Sequence, residues 1–124
     1  RKLNRPEDSS FYDGEEARLY VDGKLVAQSG ASGARSRSAL PLLVGADPDG
    51  RGAPTRSFAG DVDELRLSST ARYSGAEFAP ADRHENDADT RLLLHLDRSI
   101  GPFHPDQSAR GAHGRALGTA TIAP

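Results

Sequence analysis

Cysteine, methionine and tryptophan are all absent from this chain of 124 residues. Without cysteine there is neither a disulfide framework nor a thiolate metal site. That absence leaves the compartment open. Without methionine the chain opens on Arg1, so it reads as a processed product or a segment of a longer one. Large apolar residues are scarce too. Leu, Val, Ile and Phe together number 23, about 19% of the chain, just under the roughly 20% level associated with disorder. The second condition for disorder, high net charge, is not met, because the formal charge is −2.

No run of 18 apolar residues occurs, which excludes a transmembrane helix, and no signal peptide is visible. The 16 basic and 18 acidic residues nearly balance. This excludes a polybasic nucleic-acid module and an acidic tail. The arginines are spread along the whole chain and form no block. What is present in quantity is Gly (13) and Pro (8). The core is therefore thin for the length. Either the domain is loop-rich or part of its core lies elsewhere.

The sharpest local signal is a hairpin. Ala17–Val21 and Lys24–Gln28 flank Asp22-Gly23, and Asp-Gly suits a type I′ turn, which needs positive φ at both central residues. Leu19 and Val21 fall on one face, Arg18 and Tyr20 on the other, the period of a half-buried strand. Leu40–Gly45 reads as a short buried strand with Pro41 near its start. The connection 46–57 is long, with two Pro and two Gly. Asp61–Ser68 reads as a strand in which Val62 is out of phase with Leu65 and Leu67. Thr90–Asp97, the most apolar segment, reads as a strand buried on both faces. Residues 115–122 are a candidate last strand. The pattern predicts an all-β fold of 5–7 strands with long connections. Residues 1–10 read as a polar arm and 11–124 as the domain.

Enzymatic signatures are missing. There is no G-x-S-x-G elbow and no H-E-x-x-H. Asp61, Asp63 and Glu64 offer paired carboxylates, the residue type that glycoside hydrolysis needs. Asp47-Pro48-Asp49-Gly50 is a D-x-D-G loop without the further acidic positions of an EF-hand. The plainer reading of such residues is a turn whose Asp side chains bond backbone N–H groups.

Four stretches, in order, resemble a laminin G-like module of the concanavalin A-like jelly-roll class. Tyr12-Asp13-Gly14 with Arg18–Val26 is similar to the family's hairpin, Leu42–Gly45 to its next strand, and Phe58–Leu67 to its "FxGxIDEVRI" strand. Ala71-Arg72-Tyr73, Phe78–Pro80, Asp87–Thr90 and Leu93–Asp97 resemble the bacterial version, as do Asp106, Ser108, Gly111, His113 and Gly114 beyond them. Ala109 stands where that version has Gly. The resemblance spans about 11–122 and implies an antiparallel β-sandwich. The family's strands that precede the hairpin are not matched, so the sandwich is expected to be incomplete in this chain. Such a sheet would leave edges open to pairing.

The resemblance also implies what the module does. Its glycosidase relatives carry an E-x-D-x-x-E pattern that is not found here, so no enzyme is expected. Calcium is the cofactor expectation, with Asp63 and Asp106 as ligands and Asp47 and Asp49 as a separate pair. For a glycan, Tyr20 with Arg18 beside it is the candidate platform. A buried structural role for His95, and an exposed cross-strand pair of Tyr20 and Arg18, are the plainer readings. The implied role is a recognition or assembly module of an extracytoplasmic bacterial protein. Its partner would be a glycan or a protein, and one form of the idea is a subunit completed by strands of another chain.

Overall fold

The hairpin forms where the Asp-Gly pair calls for it. In the computed structural model, which describes residues 8–34 and 36–122, Asp22 and Gly23 have φ of 52° and 78°, both left-handed as a type I′ turn requires. The turn joins β2 (Glu16–Val21) to β3 (Lys24–Gly30), and β1 (Asp8–Tyr12) pairs with the other side of β2. All three strands are antiparallel, with Ser10 opposite Leu19 and Leu19 opposite Ala27. A register shift between Leu19 and Tyr20 marks a bulge. Asp8–Ser10 therefore belong to the sheet. Residues 1–7 of the expected arm lie outside the described residues.

The remaining strands form three two-stranded pairs: β4 (Asp47–Pro48) with β5 (Pro54–Thr55), β6 (Leu65–Ser68) with β7 (Thr90–Leu94), and β8 (Phe103–His104) with β9 (Gly114–Arg115). All pair antiparallel, and no helix occurs among the described residues. The architecture is that of an incomplete all-β sandwich, as expected.

Several expectations are corrected. Leu40–Gly45 is not a buried strand. It runs as exposed coil, closed by the Phe58 N–H donating to Gly45 C=O at 2.7 Å. Pro41 has no N–H to give, Gly45 turns with φ 80°, and most of the segment's side chains are exposed, only Leu43 being half-buried. The first short ladder comes instead from the connection 46–57. β6 starts only at Leu65 because Glu64 has φ 56°, and β7 stops at Leu94 because Leu96 has φ 57°. The last strand is the two residues Gly114–Arg115, which lie before most of the expected 115–122 segment.

The faces of β2 are also reversed from the simplest reading. Tyr20 is 0% exposed, while Leu19 is 40% exposed. The Tyr20 ring meets Phe78 edge-on at 5.4 Å, and Phe78 stacks on Tyr73 at 3.7 Å. The Tyr20 hydroxyl donates to Gly75 C=O at 2.9 Å, the polar handle that lets a Tyr be buried. The hairpin tip completes the contact. Phe78 N–H donates to Gly23 C=O and Leu25 N–H to Ala76 C=O, at 2.7 and 2.8 Å. Three aromatics in one cluster outweigh the aliphatic face because each buries more area.

β7 is the second nucleus. Leu93 and Leu94 are both buried, on opposite faces of one strand, as the apolar run suggested. Asp106 lies against its outer edge. Its Oδ1 accepts Leu93 N–H and Ser108 N–H, each at 2.9 Å, and its Oδ2 accepts the Ser108 hydroxyl at 2.7 Å and Ala112 N–H at 2.9 Å. Gln107 N–H donates to Leu93 C=O at 2.8 Å. A side chain thus supplies the acceptor that another strand would otherwise provide. Arg72 fastens the preceding loop by a bidentate contact to Asp87, both N···O distances being 2.7 Å. Asp87 in turn accepts the Thr90 hydroxyl at 2.9 Å.

Candidate recognition surface

A polar hollow and a set of exposed apolar side chains offer themselves. The hollow follows from the β6–β7 register. Leu65 faces Leu94, so the residues just outside that pair, Glu64 and His95, are brought together. His95 Nδ1 lies 2.8 and 3.0 Å from the two Glu64 oxygens. Glu64 also accepts His84 N–H at 2.9 Å, and Arg83 lies 3.6 Å from it. Its side chain is only 5% exposed. A buried carboxylate survives when several donors surround it, and here two separate segments, 83–84 and the end of β7, supply them. The positive φ of both Glu64 and Leu96 aims the pair, at a backbone cost of about 1–2 kcal/mol each.

Arg83, His95, Asp97, Arg98 and Gln107 line an open hollow of about 400 Å³ beside this pair. Arg83 also donates to Asp97 at 3.0 Å. That hydrogen bond and the Arg83 charge hold the Asp97 carboxyl below the usual range. The chemistry on offer is hydrogen bonding and charge recognition.

The residues expected to bind ligands are held in structure or stand apart. Tyr20 is no sugar platform, since its ring is sealed in the aromatic cluster. Arg18 is held by Glu16 at 2.6 Å and Asp13 at 3.2 Å. Asp13 accepts the N–H groups of Glu15 and Glu16 at 3.0 and 2.7 Å, and these bonds keep its carboxyl below the usual range. Asp106 is occupied by the four donors described above. Burial pushes its carboxyl up, and the donors outweigh that and bring it down. Asp49 caps a turn, accepting Arg51 N–H and Ala53 N–H at 2.8 and 2.9 Å. Asp47 is exposed, with Arg56 3.9 Å away, and Asp63 is exposed in coil. The structure does not gather these carboxylates: among the described residues no three His, Asp or Glu side chains form a group able to hold a metal.

Sequence reading missed the Glu64–His95 pair. Both residues were visible, one as part of an acidic run and one as a core histidine. Only the strand register joins them.

The exposed apolar side chains are the second feature. Three apolar residues form the described core, Tyr20, Leu93 and Leu94. Among the described residues eleven large apolar side chains are exposed, including Leu19 and Val26 on the sheet and Leu40, Leu42, Val44 and Phe58 along 40–58. Scattered exposed apolar residues are ordinary, but an excess over the core is not.

Comparison with known proteins accords with this architecture. Residues 10–75 match the Laminin_G_3 model of the concanavalin A-like lectin/glucanases superfamily. The chain belongs to this family. No curated protein and no solved structure matches it. The laminin G-like match covers the hairpin, Leu42–Gly45 and Phe58–Leu67, three of the four stretches that carried the resemblance. It includes Glu64 and ends before His95. Laminin G-like domains are in general non-catalytic binding modules for carbohydrate or protein, and they are typically extracellular. Among the described residues no helix is long and apolar enough to cross a membrane.

Proposed function

We infer that this laminin G-like chain is a non-catalytic recognition and assembly module of an extracytoplasmic protein, and that its partner is a polypeptide. The observation that carries this reading is the inverted apolar balance, with three large apolar residues buried and eleven exposed. Apolar area is worth about 25 cal/mol per Å² when removed from water. A surface rich in it gains most from a partner that is itself apolar and extended. Glycans reward aromatic platforms and hydroxyl pairing. Tyr20, the aromatic residue expected to serve a glycan, is buried. The test is the isolated chain with an apolar-surface dye and a thermal melt. Dye binding and self-association or a weak melt are expected. A monomer that melts cooperatively and binds no dye overturns the reading.

A carbohydrate reading has one observation behind it, the polar hollow beside Glu64 and His95. Its mixture of guanidinium, imidazole, carboxylate and amide groups suits a hydroxylated ligand. Titration with glycans against the wild type and Arg98→Ala separates the two readings. Millimolar or tighter binding that is lost in the variant favours the glycan.

A further inference from the structure

Antiparallel pairing turns backbone groups alternately toward and away from the neighbouring strand. On β3, Leu25 N–H points away from β2 and is taken by Ala76 C=O, while Ala31 N–H points inward to Glu15 C=O. With the bulge between them, the alternation leaves Gln28 and Gly30 facing outward. The segment 76–78 covers only the start of the strand, bridging Lys24 through Glu77. From Val26 to Gly30 no described segment pairs with the outer edge, where only the Ser29 hydroxyl reaches Gly30 C=O at 3.4 Å, and all five residues are exposed. The stretch Val-Ala-Gln-Ser-Gly holds no charge and no proline, so it lacks two of the usual devices that blunt an edge, and its bulge lies at its start, at Val26. The contrast with β7 is informative, because there Asp106 occupies the edge.

We propose that this edge pairs with the same edge of a second copy, antiparallel about a two-fold axis at Gln28. The proposal deepens the polypeptide-partner reading and rests on it. The sequence is self-complementary in that register. Gln28 of each copy exchanges N–H and C=O with the other, the reciprocal pair that an outward-facing residue on the axis makes. Val26 of one copy falls opposite Gly30 of the other. Nothing lies within 4 Å of the position a Cβ on Gly30 would take, so the glycine leaves room for the valine. No like charges meet, since the segment has none. Two three-stranded sheets become one of six strands. Val26, 56% exposed in the single chain, gains a neighbour.

Sedimentation velocity on the whole chain over a range of micromolar concentrations tests this. The wild type is expected to sediment as a dimer. Gln28→Pro removes the N–H on the axis and takes no bond from β2, so it should be monomeric with an unchanged far-UV circular dichroism spectrum. Should that variant unfold, a charge pair decides. Gln28→Lys and Gln28→Glu should each weaken the dimer at least several-fold, and an equimolar mixture of the two should restore it. Variants that dimerise as the wild type does overturn the edge pairing. A monomeric wild type that still binds an apolar-surface dye overturns the edge pairing alone. A monomer that binds no dye overturns the polypeptide-partner reading as well.

Discussion

Replacing Asp106 by alanine should unfold a large part of the protein's stability margin. The carboxylate receives four hydrogen bonds at 2.7–2.9 Å. Removing it strands three backbone N–H groups and a hydroxyl. Ala112 is exposed and can turn to water. Leu93, 1% exposed, and Ser108, also buried, cannot do so easily. A buried donor left without an acceptor costs about 1–3 kcal/mol, so two of them give about 2–6 kcal/mol. That is a large share of the roughly 5–15 kcal/mol that holds a domain together. Asp106→Asn keeps one oxygen for Leu93 and Ser108 but sets an amide N–H₂ against Ala112 N–H, and should cost about 1–3 kcal/mol. The assay is urea unfolding at fixed protein concentration, because any self-association adds to apparent stability. A pH series supplies a second readout. The folded carboxyl lies below its unfolded value near 3.8, so its contribution is complete above that pH and is lost as the pH falls through the lower folded value. The wild type should therefore lose stability in acid more steeply than Asp106→Asn. If Asp106→Ala lies within about 0.5 kcal/mol of the wild type, the span of an ordinary surface change, the account of β7's covered edge is wrong.

Tyr20→Ala should cost about 3–5 kcal/mol by leaving a cavity against Phe78, whereas Tyr20→Phe should cost only about 1 kcal/mol, the bond to Gly75; equal costs in a denaturant series would contradict the aromatic cluster. Gly23→Ala places a Cβ 2.1 Å from Phe78 C=O at a φ of 78°, so the hairpin tip must part from 76–78; a melting temperature unchanged from the wild type would refute that contact. Arg72→Lys keeps the charge and loses the two-pronged grip on Asp87. Limited proteolysis should then cut within 69–89 sooner. Below the usual carboxylate range the wild type should become equally susceptible, because hydrogen bonds from Arg72 and Thr90 depress the Asp87 carboxyl and its contribution disappears as pH falls through the folded value.

How much of this was legible without coordinates depends on the range of the interaction. The Asp22-Gly23 turn was, because left-handed φ is a property of two adjacent residues. The doubly buried strand at Leu93 and Leu94 was, because a run of Leu has one economical place in a sheet. The absence of cysteine and of long apolar runs closed whole classes at once. The strand at Leu40–Gly45 was misread because a local apolar run says nothing about whether a second layer covers it. The Glu64–His95 pair escaped for the same reason, since 31 positions separate the two residues and only the β6–β7 register brings them within 2.8 Å.

The thin apolar content is where the two levels of information meet. Sequence alone determined that few large apolar residues exist and that they sit in strand-like segments. It also determined the hairpin turn and the all-β class, both fixed by steric preferences within a few residues. Tertiary structure alone decided which face of β2 is core, turning Tyr20 inward and leaving Leu19 half out. That choice depends on Phe78 and Tyr73, more than 50 residues away. It likewise decided that Asp106 closes one strand edge while β3 keeps its own open. Burial and edge pairing are properties of what lies opposite, and no residue carries that information by itself.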